Sequence, residues 1–250
     1  MKKITMIGGC GVIGRLLTKE LSSEYDVTII DQTRCVEEVI FANATIEEEL
    51  FQAIPRDTNV IIHLLNIDMT HDVMNEKEFA KMNEVFWIST YNMFRSAARL
   101  SIPKVIFASS NHVTDRYEKD GHSLLGREIT TDDVPATKNV YGILKFASEQ
   151  LGRLFHDQTG MSVINLRIGT VVTDEMEGLH TKKRTKRTLL SHEDLFGMIK
   201  AAIETDVPFG TYYAVSENEG KPWSTEKTKL ELGYRPDVNT AEILKENDQA

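Results

Sequence analysis

Tyr141 and Lys145 stand four residues apart in the run Tyr141-Gly142-Ile143-Leu144-Lys145. On a helix that spacing projects both side chains from one face, one turn apart. An ammonium beside a phenol favours the phenolate and lowers its pKa from the free value of about 10. Such a pair can take a proton from an alcohol near neutral pH. Alone it is a weak signal, because exposed Tyr-x-x-x-Lys pairs on helices are common. Two further features strengthen it. Gly8-Gly9-Cys10-Gly11-Val12-Ile13-Gly14 follows a short apolar run near the N-terminus. Ser109-Ser110 lie 32 and 31 residues before the tyrosine, at the end of a later apolar run.

The glycines read as Gly8-x-x-Gly11-x-x-Gly14 and equally as Gly9-x-Gly11-x-x-Gly14. A strand before them and an amphipathic helix after them give the motif a mechanism. The glycines let the backbone approach a pyrophosphate, and the helix N-terminus stabilises its charge. Gly8, Gly11, Val12, Ile13 and Gly14 are the residues expected there. Asp31 ends the second strand, 17 residues after Gly14. A carboxylate at that point accepts hydrogen bonds from both adenine-ribose hydroxyls and repels a 2′-phosphate, which favours NAD over NADP. Arg34, three residues on, softens that preference.

The elements that must hold these groups alternate along the chain. Strands are expected at Lys3–Ile7, 26–30, 59–63, 104–108, 162–167 and 210–215. Helices are expected at 12–22, 46–54, 76–100, Val140–Thr159 and 191–205, the last capped by Ser191. Residues 114–138 read as polar and irregular, with Gly121, Gly126 and Pro135 as breakers. This alternation predicts an α/β fold, a doubly wound parallel sheet (Rossmann fold) covered on both faces. One unit is expected over 1–250. Its substrate-binding part is drawn mainly from the less regular 170–250, a small cap over the strand ends.

Composition fits a soluble globule, with 41% hydrophobic and 27% charged residues. A net charge of −9 disfavours nucleic acid or an anionic membrane as the main partner. Cys10 and Cys35 form no metal or disulfide pattern, which fits a reducing, cytoplasmic setting. Met1-Lys2-Lys3 looks like the start of a signal peptide, but the apolar stretch 4–7 is short and runs into glycines, so a buried strand is expected. No run reaches the roughly 18 apolar residues of a membrane span.

Taken together, these residues resemble the extended short-chain dehydrogenase/reductase family, also called the NAD-dependent epimerase/dehydratase family, over nearly the whole chain. The resemblance rests on the glycine turn, Ile61-Ile62-His63-Leu64, Phe107-Ala108-Ser109-Ser110, Tyr141-x-x-x-Lys145 and Leu166-Arg167-Ile168-Gly169. It implies Tyr141 as acid/base and Lys145 as the residue that binds the nicotinamide ribose and tunes the tyrosine. It implies Ser110 as the catalytic hydroxyl, with Ser109 as the fallback, and Asn43 and Leu64 as further cofactor contacts. Phe107-Ala108-Ser109-Ser110-Asn111-His112, Arg167-Ile168-Gly169-Thr170, Ser191-His192-Glu193-Asp194-Leu195 and the tail from Gly210 through Trp223 to Leu232-Gly233-Tyr234-Arg235-Pro236 look like uronate dehydrogenases. Those enzymes oxidise the anomeric hydroxyl of a hexuronic acid to a lactone with NAD. The resemblance implies that Ser110, Asn111, His112 and Arg167 meet such a substrate alongside Tyr141, and that no metal takes part. It also implies a homodimer through the helices at 76–100 and Val140–Thr159. Only about 80 residues follow Arg167, which suits a small sugar or sugar acid.

Several positions depart from the family pattern. His63-Leu64-Leu65-Asn66 and Asn43-Ala44 replace more usual residues around the cofactor, and Phe86 stands where an asparagine is expected, with Asn83 one turn earlier. The basic run Lys182-Lys183-Arg184-Thr185-Lys186-Arg187 reads either as a solvated loop or as a site for an anionic, phosphorylated substrate. His63 reads as a strand-end residue, Arg167 alternatively as a salt bridge at the core edge, and Phe86, Trp87, Met74, Met82 and Met93 as core or dimer contacts. Two other functions suit the same residues: a sugar or sugar-phosphate dehydrogenase, epimerase or reductase, and a non-enzymatic dinucleotide-sensing regulator.

Overall fold

The computed structural model describes residues 1–36 and 38–247, so the last three residues of the expected 1–250 unit lie outside the described residues. Seven parallel strands form the sheet: β1 (Lys3–Ile7), β2 (Asp26–Asp31), β3 (Val39–Phe41), β4 (Val60–His63), β5 (Lys104–Ser110), β8 (Ser162–Ile168) and β9 (Phe209–Ala214). Their order is β3-β2-β1-β4-β5-β8-β9, so the winding reverses between β1 and β4. Every residue of β4 is buried, as a strand covered on both faces requires.

Alternate side chains feed two separate cores. Met6, Ile62, Ile106 and Ile164 join Leu17 of α1 (Val12–Leu21) and Met198 of α8 (His192–Glu204). Their neighbours Ile7, Ile61, Val105 and Val163 join Leu50 of α2 (Glu47–Ala53), Phe94 of α4 (Ser89–Arg99) and Leu151 of α5 (Val140–Thr159). The period of two along each strand thus sorts the helices onto opposite faces.

Two departures from the expected elements bear on the site. The 76–100 helix is α3 (Glu76–Met82), a π-helical stretch (Asn83–Ile88) and then α4. The widened turn presents the Phe86 carbonyl to the hydroxyls of Thr90 (2.7 Å) and Ser148 (3.1 Å). The 114–138 region holds a 3₁₀ stretch (Asn111–Tyr117) and a small hairpin, β6 (Glu118–Lys119) with β7 (His122–Ser123). β3 was not expected at all. The region after β8 holds α6 (Glu175–Thr181), α7 (Thr185–Thr188) and α9 (Thr240–Asn247), with single bridges from Thr170 to Leu189 and from Ile129 to Trp223. No described helix is long and apolar enough to cross a membrane.

Candidate active site

The glycine turn leaves β1 with Gly8 at φ +82°, a left-handed conformation that a side chain would strain. A Cβ on Gly14 would lie 2.3 Å from the Gly9 carbonyl oxygen, so only glycine lets α1 start this close to the turn. A Cβ on Gly11 would meet nothing nearer than 3.5 Å, so that side of the turn is open to a ligand. Gly11 caps α1 without a side-chain bond, and the first helical amide with an internal partner is that of Arg15. The amides of Val12, Ile13 and Gly14 are therefore free to meet an anion. These observations fit a dinucleotide pyrophosphate.

Asp31 stands beside this turn at the end of β2. Its Oδ1 accepts from the amide and hydroxyl of Thr33, both at 2.9 Å, and its Oδ2 from the Cys10 amide at 2.9 Å. Asn43 turns its Oδ1 to Gln32, Thr45 and its own loop, and Leu64 is buried at the end of β4. Cys10 and Cys35 form a disulfide, which corrects the expectation of unpaired thiols. Their separation of 25 positions conceals that their loops leave the adjacent strands β1 and β2 side by side. The reducing setting inferred from them loses its support.

At the carboxyl end of β5 the two serines part. Ser109 donates to the carboxylate of Glu149 inside the protein. Ser110, one residue on, lies on the other face beside Tyr141 and accepts from the His112 amide at 3.2 Å. Asn111 is buried, with an Oδ1 that has no partner among the described residues. His112 donates from Nδ1 to the Asp115 carboxylate (2.9 Å), whose same oxygen also accepts from the Asn139 side-chain amide (3.1 Å). Asn139 also caps α5 by accepting from the Gly142 amide at 2.8 Å. A Cβ on Gly142 would fall 2.3 Å from the His112 carbonyl oxygen, so the glycine after Tyr141 lets this helix start against the serine loop.

Tyr141 and Lys145 share one stripe of α5, as their spacing requires. Lys145 is 2% exposed and donates to the Ala108 carbonyl at 2.7 Å. Burial brings its ammonium down to about 7, with Glu149 opposing. Burial pushes the Tyr141 phenol up to about 12, and the Ser110 hydroxyl pulls the other way. Burial thus outweighs the lowering that the sequence leads one to expect. Phe86 fills the position of the expected asparagine and sets its ring edge-on to Tyr141, 4.9 Å between centroids. The Lys145 Nζ sits 5.1 Å from the same ring. Asn83 donates to the Phe79 carbonyl.

Arg167 is placed differently from its expected substrate role. It is 3% exposed, and its guanidinium forms a two-bond fork with Glu149 (2.9 and 2.8 Å). Its remaining Nη1 points to Tyr213. The carboxylate partner of Arg167 is therefore internal, and the alternative of a salt bridge at the core edge describes it. Glu149 was missed, although it continues the Tyr141, Lys145 spacing by another four residues. His63 is fully buried, stacked on Phe107, with neither ring nitrogen bonded. Burial and then the Lys145 charge bring its pKa down to about 3.

Within the basic run, Arg184 turns inward. It binds the buried Glu118 through Nε and Nη2, and its Nη1 reaches Thr170 Oγ1 at 3.3 Å, two residues past β8. His192 donates its amide to Glu175 and starts α8, with Ser191 as cap.

The family model for the NAD dependent epimerase/dehydratase family matches residues 4–193. The chain is 56% identical to an uncharacterized protein of Bacillus subtilis, YtbQ, over 99% of both chains. It is 27% identical to an NAD-dependent glucose-6-phosphate dehydrogenase of Haloferax volcanii, covering 98% of this chain and 97% of that one. A solved uronate dehydrogenase from Agrobacterium tumefaciens shares the fold with a TM-score of 0.84 at 21% identity, over 100% of this chain and 90% of that one.

Proposed function

This chain belongs to the NAD dependent epimerase/dehydratase family, and from that premise we propose that it oxidises a hydroxyl of a small sugar or sugar acid with NAD. The observation that carries the reading is the convergence of Ser110, Tyr141 and Lys145 at the carboxyl end of β5, in a protein whose glycine turn fits a dinucleotide. Open α/β sheets bind ligands at that end, where the strand order reverses.

Ser110 and Tyr141 hold the substrate hydroxyl between them. Tyr141, as the phenolate that a cationic Lys145 favours, takes its proton at the phenolic oxygen as the carbon–oxygen double bond forms. When bound, NAD supplies the acceptor for the hydrogen and electron pair that leave the carbon. Lys145 holds positive charge beneath the phenol, and Asn111 and His112 line the sugar side. Glu149 and Arg167 lock the floor of the site, so that Ser109 and Lys145 keep their places. The substrate-binding part is drawn mainly from 170–250, where Arg184 stands beside Thr170 at the end of β8. Two relatives, named for glucose 6-phosphate and for uronate, bracket the substrate class. The same reading includes a homodimer through the helical stretch 76–100 and α5.

The test is NADH absorbance with NAD against uronic acids, neutral aldoses and sugar phosphates. Accumulation of NADH with one class establishes the dehydrogenase. Interconversion of sugars without net NADH replaces it with an epimerase. Tight NAD binding with no turnover across the panel favours a dinucleotide-sensing regulator.

A further inference from the structure

Three described non-glycine residues adopt a left-handed backbone: Ser101, Asp120 and His71. Ser101 follows the end of α4, and Asp120 turns the β6–β7 hairpin, both ordinary places for that conformation. His71, at φ +62°, is in neither kind of place. It sits in the loop between β4 and α3, and the conformation costs free energy that something must hold in place.

Glu78, in the first turn of α3, is what holds it. Its carboxylate accepts from the amide of Thr70 (3.0 Å), the hydroxyl of Thr70 (2.7 Å) and the amide of His71 (2.9 Å). Asp72 accepts from the Met74 amide at 2.9 Å, and Asn75 caps α3 through the Glu78 amide. The result is an imidazole held over the reacting groups. The His71 ring stacks on His112 with centroids 5.8 Å apart and stands 6.4 Å from the ring of Tyr141. His112 has its Nδ1 committed to Asp115, which leaves Nε2. The His71 ring makes no hydrogen bond to any described residue and is exposed.

We propose that His71 is a substrate-binding residue, which with His112 forms a pair of imidazoles above Tyr141 that hydrogen-bond a ring oxygen, hydroxyl or anionic oxygen of the sugar. The inference rests on the sugar-oxidising reading above and adds the residue that helps select the substrate. His71 binds and orients the sugar and moves no proton in the reaction. Its loss therefore acts on KM more than on kcat.

The test uses His71→Asn and His71→Gly. Both accept a left-handed backbone, so the loop persists while the ring is lost. NAD affinity, unchanged, reports that the fold is intact. For the sugar that the wild type oxidises, KM should rise about tenfold, the weight of one good hydrogen bond, while kcat falls far less. The ratio of losses among uronic acid, sugar phosphate and neutral aldose identifies which oxygen the ring meets. A wild-type KM in both variants overturns the proposal. If the wild type makes no NADH from any panel sugar, the dehydrogenase reading has failed, and binding decides the inference separately. In that arm NAD-saturated Tyr141→Phe protein is titrated with the same sugars while the histidine ring protons are followed by NMR. A shift of the His71 resonance, with affinity lost in the Tyr141→Phe, His71→Asn double variant, upholds it. A His71 resonance unmoved by every panel sugar overturns it.

Discussion

Tyr141 and Lys145 are poised by burial in opposite senses, the phenol toward about 12 and the ammonium toward about 7. Both shifts disfavour charge, so the phenolate and the ammonium that the proposed mechanism uses must stabilise each other. Tyr141→Phe removes the proton acceptor and leaves the ring packed on Phe86. Its kcat should fall roughly 10²–10⁴-fold, the usual worth of a general base, with NAD affinity retained. Near-normal turnover would remove Tyr141 from the mechanism. His63 carries a stability prediction. Folded, it takes a proton only near pH 3, whereas the unfolded chain takes it near 6.5. Between those values the unfolded state binds more protons, so stability falls as the pH drops from 6.5 toward 3. By pH 5 the loss from this one group is about 2 kcal/mol relative to pH 7.5. His63→Leu should shrink the difference between urea midpoints at those two pH values accordingly, and an unchanged difference would place the acid sensitivity elsewhere.

Among the elements, α5 does most to assemble the site, because it carries Tyr141, Lys145 and Glu149 on one stripe. Glu149→Ala would strand the buried Arg167 charge, which typically costs about 3–5 kcal/mol. Glu149→Gln keeps one acceptor for the guanidinium and should cost less; equal denaturant midpoints for the wild type and both variants would show that the pair contributes nothing. The central strands and α5 were legible because their signals are local: continuous apolar runs for buried strands, an unbroken helical period, an asparagine before and a glycine after. β3 was not, since three residues with two exposed carry no pattern. The π-helical turn was not, because its stretched period merges with the helices on either side. The glycine turn and the Tyr-Lys pair could be read from spacing. The internal partner of Arg167, the disulfide and His71 could not, since each depends on which loops and helices the sheet brings together.

For the molecule as a whole, one outer face is apolar where solvent would be expected. Ile143 and Leu154 of α5 are exposed, with Tyr91 of α4 beside them, its ring 6.2 Å from that of Phe155. This face is the one on which the proposed homodimer rests. An Ile143→Glu, Leu154→Glu double variant should run as a monomer in light scattering at concentrations where the wild type is a dimer. A monomeric wild type would defeat the assembly. Within the protomer, the net charge of −9 means that an anionic sugar approaches against the overall field, to which the open amides of α1 are a local exception.

The Cys10–Cys35 bond lies on the surface proposed for the dinucleotide, since Cys10 is in the glycine turn and its amide holds Asp31. Two equilibria that share a surface are tied by thermodynamic reciprocity. Any ratio between the NAD affinities of the disulfide and dithiol forms must reappear, as the same factor, in how readily a dithiol reagent reduces the bond with and without saturating NAD. Thiol titration in both conditions would therefore report the energetic conversation between bond and cofactor without a substrate or a single turnover.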